Sequence, residues 1–183
     1  MSYEVALNKA WQELENISKT DKSELKFLND IYEIDVKRRQ VLSVSCNIAA
    51  KEYLTVLILH YELKKFGGIL EPTGNWISFK DVPGGEIYYP AFRKQAIEPL
   101  LRKYGANPQG ILLNRERLNA QEVKEATAAI SLEVFERVPV LVKIWPGDEE
   151  FPVEADMLFD KSITEIFCTE DITVLAGVVA STL

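Results

Sequence analysis

Apolar positions in the first seventeen residues recur at helical spacing, with Val5, Leu7, Trp11, Leu14 and Ile17 forming one stripe. The opening stretch MSYEVALNKAWQEL therefore predicts an amphipathic helix. Asp21 and Glu24 have capping-box spacing and predict a second, shorter helix directly after it. In IYEIDVKRRQVLSVSC the period drops to two, with Tyr32, Ile34 and Val36 on one face and Leu42, Val44 and Cys46 continuing after KRRQ. This pattern predicts an antiparallel hairpin, although its turn has neither Gly nor Asn. Asn47 then stands as a helix N-cap and Gly67-Gly68 as a stop for IAAKEYLTVLILHYELKKF. Leu54, Leu57, Ile58 and Tyr61, widened by Val56, Leu59 and Leu63, predict a helix covered on more than one side.

Downstream, Pro90 suits the first turn of a helix over PAFRKQAIEPLLRKYG, Pro99 predicts a kink or restart in it, and Gly105 ends it. ANPQG reads as a turn. Residues 121–130 have helical potential, but the β-branched and aromatic content of ISLEVFERVPVLVKIW predicts two strands meeting near Pro139. GDEEFP is a turn and VEADMLFD a strand; Ser162 and Glu165 have capping-box spacing, and Thr169 opens a final helix with Glu170 and Asp171 in its first turn. The expected class is α+β: a largely antiparallel or mixed sheet packed against a long central helix, with helices at both termini. With 183 residues, no repeat and no Pro/Gly/Ser-rich linker, the expectation is one globular domain over 1–183.

Composition narrows the class of function. Apolar residues make up 47% and charged residues 27%, ordinary globular proportions, and the formal charge of −7 without a basic stripe argues against nucleic acid and anionic membranes. No signal-peptide pattern opens the chain and no apolar run is long enough to span a bilayer, so a cytoplasmic location is expected. Cys46 and Cys168 are far apart and in no C-x-x-C pair, which predicts reduced, buried thiols and no metal or cluster framework. P-loop, dinucleotide-fingerprint and G-x-S-x-G patterns are all absent, and no cofactor is identified.

Three places remain where chemistry could sit. The stretch TGNWISFKDVPGGEIYYPAF combines one Trp, two Phe and two Tyr with three Gly and two Pro in twenty residues. Trp76, Phe79, Tyr88, Tyr89 and Phe92 could wall a pocket, with Asp81 and Arg93 as polar anchors, or simply fill a core. Asp148, Glu149 and Glu150 follow Trp145 and Pro146 in an acidic turn that could divide acid and base roles, hold a hard cation, or stay solvated. His60, the single histidine, is a candidate base or ligand on an apolar helix, where a hydrogen-bonded core role is commoner.

The aromatic loop, together with LILHYEL and WPGDEEFPVEADMLFD, resembles a domain-of-unknown-function family of anaerobic bacteria and archaea, over most of the chain. Some members of that family carry an iron-sulfur segment like that of corrinoid iron-sulfur proteins. The resemblance implies an accessory role linked to corrinoid or one-carbon metabolism. This chain lacks the four cysteines of that segment and the D-x-H-x-x-G pattern of cobalamin binding. Three expectations stand together: a ligand-binding or accessory domain with its pocket at Trp76, Tyr88, Tyr89, Trp145 and their polar neighbours; an acid-base or divalent-cation-assisted enzyme using Asp148–Glu150; and a protein-interaction module presenting the aromatic loop.

Overall fold

The computed structural model describes residues 3–124 and 126–183, and it is a mixed α+β fold with antiparallel sheets and helices near both ends. Met1, Ser2 and Glu125, parts of the predicted first helix and of the 121–130 segment, lie outside the described residues. The chain forms two compact units, residues 1–70 and 71–183.

In the first unit, helix α1 (Glu4–Ile17) buries Ala10, Trp11 and Leu14 and packs against α2 (Glu52–Gly67). Val5 and Ile17 of its predicted stripe are exposed. Between the helices lies a four-stranded meander, β1 (Lys22–Phe27), β2 (Asp30–Asp35), β3 (Gln40–Ser43) and β4 (Ile48–Ala49). The short helix expected after Asp21 is strand β1, because Leu25 and Phe27 are buried while Lys22, Glu24 and Lys26 face out, a period of two that pairs with β2 in register. The β2–β3 hairpin forms as expected, with Arg39 taking the left-handed conformation (φ 49°) that its turn requires and pinned by a two-pronged bond to Glu15.

The phase of β3 is one residue from the expected one. Ile34 faces Val41 and Tyr32 faces Ser43 across the ladder, so Val41 and Ser43 point inward while Val44 is exposed and Leu42 lies on the other face. Asn47 does not cap α2. It sits at φ 55° in the turn that returns the chain to β4, and Lys51 stands at the N-cap. The helix stops as expected at Gly68, whose φ is 88°. α2 buries Thr55 through Leu59, then Tyr61 and Glu62, the broad covering its composition predicts.

The second unit carries its own five-stranded antiparallel sheet, ordered β5-β9-β8-β7-β6, where β5 is Trp76–Ser78, β6 Gln121–Glu122, β7 Ala128–Phe135, β8 Val138–Trp145 and β9 Glu154–Asp160. One face is wholly apolar: Ile130, Leu132, Val140, Val142, Ile144, Met157 and Phe159 are all buried. The β7–β8 turn is Glu136-Arg137, with Arg137 at φ 62°, rather than Pro139. Pro139 lies inside β8 opposite Glu133, where a bulge breaks the ladder on one side and β9 pairs only from Val140 onward on the other. Its missing N–H therefore interrupts no regular pairing.

The helical layer comes from α3 (Gly85–Phe92), a π turn (Arg93–Ile97), α4 (Glu98–Tyr104) and the terminal α7 (Thr169–Thr182), which packs on α3 and the π turn. α3 begins at Gly85 behind the left-handed Gly84, so Pro90 lies within it rather than at its start. Pro99 cannot donate to the carbonyl four residues back; the backbone widens into the π turn before it and restarts as α4, as its position predicts. A 3₁₀ segment (Pro108–Asn114) and α5 (Arg115–Leu118) lead to β6, and α6 (Ile163–Ile166) joins β9 to α7. Ser162 stands at the N-cap of α6 without a side-chain cap bond, so its spacing to Glu165 makes no capping box. Both cysteines are free and exposed, not buried: Cys46 lies in the turn after β3 and Cys168 at the N-cap of α7.

Candidate functional site

The glycine-rich stretch resolves into a strand, a 3₁₀ turn (Phe79–Asp81) and the start of α3. Its rings divide between two tasks. Phe79 and Phe92 are buried and stacked, with centroids 4.2 Å apart and planes at 6°, and Phe92 meets Phe159 of β9 edge-on at 6.2 Å. These rings fasten the stretch to the sheet. Gly85 is what lets them meet, since a Cβ there would lie 1.9 Å from the Phe79 carbonyl oxygen.

A second set of side chains borders a cavity of about 490 Å³, within the size range of small-molecule sites. One wall is a stripe at intervals of four along α3, the π turn and α4: Tyr89, Arg93, Ile97 and Leu101. The facing wall is Trp145 at the end of β8 and the segment entering β9, including Glu154 and Asp156. Ser78, Phe79 and Lys80 close the side where β5 ends. The aromatic loop and the strand after the acidic turn thus meet around one hollow.

The cavity exists because β5 is shorter than β9. Pairing runs Trp76 to Asp160, Ile77 to Phe159 and Ser78 to Leu158, and then the chain leaves the sheet at Phe79. The Lys161 N–H bonds the Asn75 carbonyl on the β5 side, so alternation aims the N–H groups of Met157 and Ala155 at the vacated edge. Asp156 covers part of that edge by accepting the Met157 N–H on Oδ1 at 2.9 Å. Its Oδ2 takes no hydrogen bond among the described residues. Burial pushes the Asp156 carboxyl above the usual range, offset only in part by the Met157 N–H and by the positive Lys143 and Lys80.

Lys80 sits with Nζ 4.3 Å from the Tyr89 ring centroid, a cation–π contact that orients both. The Arg93 guanidinium has no hydrogen bond, ion pair or ring contact among the described residues. Arg93 and Asp156 border the same space without bonding each other.

Of the residues proposed from sequence, Phe79, Tyr89, Arg93 and Trp145 line the cavity. Trp76 lies in β5, half-buried. Asp81 completes a capping box, accepting from the Ser78 N–H at 2.9 Å and hydroxyl at 2.8 Å, and these bonds hold its carboxyl below the usual range. Tyr88 is turned to the surface, its hydroxyl donating to Glu170 of α7 at 3.0 Å. Asp148 ties its own turn, accepting from Phe151 and Glu150 N–H groups at 2.7 and 2.9 Å; those two bonds, Phe151 first, lower its carboxyl. Glu149 and Glu150 are exposed. His60 lies half-buried on α2 of the first unit, whereas every cavity residue belongs to the second.

Lys80, Ile97, Leu101 and Asp156 are cavity residues that sequence reasoning did not single out. The spacing of 89, 93, 97 and 101 was a readable signal, masked by Pro99. Asp156 had none, because its setting depends on where β5 stops. No group of three or more His, Cys, Asp or Glu that could hold a metal occurs among the described residues, and no helix among them is long and apolar enough to cross a membrane.

Neither the curated proteins nor the solved structures give a match to this chain. The family models do: a domain of unknown function, DUF3786, matches residues 8–182, and the chain belongs to that family.

Proposed function

We propose that residues 71–183 bind a small organic ligand in the cavity between the 89–101 stripe and the β8–β9 wall, which makes the chain a ligand-binding or accessory domain. The observation supporting this reading is the convergence of two remote segments on one hollow with an aromatic wall and an unpartnered guanidinium. Apolar walls with a few polar groups are what bind and orient small molecules. Tyr89, Trp145, Ile97 and Leu101 would supply contact area, and Arg93 and Asp156 the orientation. The corrinoid context implied by the family resemblance would bring only part of such a large cofactor into this space.

A thermal-shift panel of corrinoids, flavins, nucleotides, organic acids, amines and amino acids tests the proposal. A ligand favouring the folded state raises the melting temperature by mass action, by about 2.7 kcal/mol of stability at a hundred times Kd. The expected result is a shift with at least one class, diminished in Arg93→Gln. No shift with any class at millimolar concentration contradicts the reading.

A further inference from the structure

We infer that the cavity selects a zwitterion, an α-amino acid with a bulky apolar side chain, whose carboxylate meets Arg93 and whose ammonium meets Asp156. This inference rests on the ligand-binding reading above and adds the chemical class to it. The two charged groups come from different elements, Arg93 from the π turn and Asp156 from β9, and among the described residues no ion pair joins them. Lys80 is already placed over the Tyr89 ring, which leaves Arg93 as the cavity cation without a partner among the described residues. Asp156 retains an oxygen that accepts no hydrogen bond among the described residues, and Glu154 adds a second carboxylate on the same wall.

Elimination leads to the same class. A ligand with only negative charge would meet Glu154 and Asp156, and one with only positive charge would meet Lys80 and Arg93. An uncharged ligand would give the exposed Arg93 guanidinium and the half-buried Asp156 carboxylate only neutral hydrogen bonds, weaker than the charge-assisted ones a zwitterion offers. A molecule carrying both charges satisfies both walls at once. Its apolar group has Ile97, Leu101 and Trp145 to pack on, and its carboxylate suits the planar fork of a guanidinium.

The test compares Phe, Tyr, Trp, Leu and Met as free amino acids with 3-phenylpropionate, which lacks the ammonium, and phenethylamine, which lacks the carboxylate. Binding is read by calorimetry and thermal shift on the full chain. At least one amino acid is expected to bind, with its one-charge analogues weaker by about tenfold to a hundredfold, the range for losing one charged hydrogen bond. Arg93→Gln should abolish the preference over phenethylamine, and Asp156→Asn, which keeps an oxygen for the Met157 N–H, the preference over 3-phenylpropionate. Equal binding of either one-charge analogue overturns the inference. So does failure of all five amino acids when another compound of the broader panel gives a shift lost in Arg93→Gln, an outcome that leaves the binding reading standing. Failure of every compound removes both.

Discussion

Replacing Gly85 with alanine is expected to destabilise the second unit by about 3 kcal/mol, the upper part of the range for forced overpacking. The new methyl carbon would stand 1.9 Å from the Phe79 carbonyl oxygen and 3.0 Å from the carbonyl carbon, both backbone atoms with little room to yield. Relief requires moving the 3₁₀ turn away from α3. That movement would unstack Phe79 from Phe92 and carry Lys80 off Tyr89, so the cavity wall deforms along with the core. A fall in melting temperature of roughly 6–12 °C follows for a chain of this size. Gly67→Ala is the control, since nothing lies within 4 Å of a Cβ there and its φ is not positive. Thermal denaturation of both variants checks the pair: a stable Gly85→Ala protein would contradict the packing described.

The second large effect is expected at Asp160, which is 2% exposed at the end of β9. Its carboxylate accepts from the Thr73 N–H at 2.9 Å, the Gly74 N–H at 2.7 Å, the Ser162 N–H at 2.9 Å and the Thr73 hydroxyl at 3.1 Å. It thereby fixes the start of β5 and the exit of β9 together, and with them the point at which β5 leaves the sheet. Asp160→Ala leaves three backbone donors without this acceptor, and each such loss costs about 1–3 kcal/mol when buried. About 4 kcal/mol in total is expected in denaturant unfolding. A loss under about 1 kcal/mol would mean that these bonds do not organise the edge.

Asp160 also gives a pH dependence of definite sign. Burial alone would raise its carboxyl, but the bonds from Thr73 and Ser162 outweigh burial and hold it below the usual carboxylate range. A folded-state value lowered in this way contributes stability that is fully present above the unfolded value and is lost as pH falls through the folded one. Asp160→Asn should therefore be less stable than the parent at neutral pH, with the difference shrinking once the pH drops below the usual carboxylate range. A difference that stays constant down to strongly acidic pH would rule out this linkage.

Much of the fold is written locally in the chain. The period of α2 and its stop at Gly68, the β2–β3 hairpin, β9 and α7 follow from patterns that involve neighbouring residues only. What escaped local reading depended on distant partners. β1 looks helical by its Asp21–Glu24 spacing until β2 lies beside it, and a one-residue phase in β3 decides whether Val41 or Leu42 faces in. Gly84-Gly85 signalled a tight turn. That the turn starts a helix, placing Pro90 inside it, depends on the close approach of Phe79. At the cavity, Phe79, Tyr89, Arg93 and Trp145 could be named from residue type and local company. Asp156 and Lys80 could not, because their setting is made where one strand ends sooner than its neighbour.

The most direct measurement is an amide NMR shift map of the labelled chain, titrated with a fixed mixture of small aromatic acids, amines and amino acids. Perturbations are expected to gather at Ser78–Lys80, Tyr89, Arg93, Ile97, Leu101, Trp145 and Val153–Asp156, with the vacated edge at Ala155 among the largest. Perturbations confined to Asp148–Glu150, to the 1–70 unit or to no residue at all would contradict a binding cavity at this edge of the sheet.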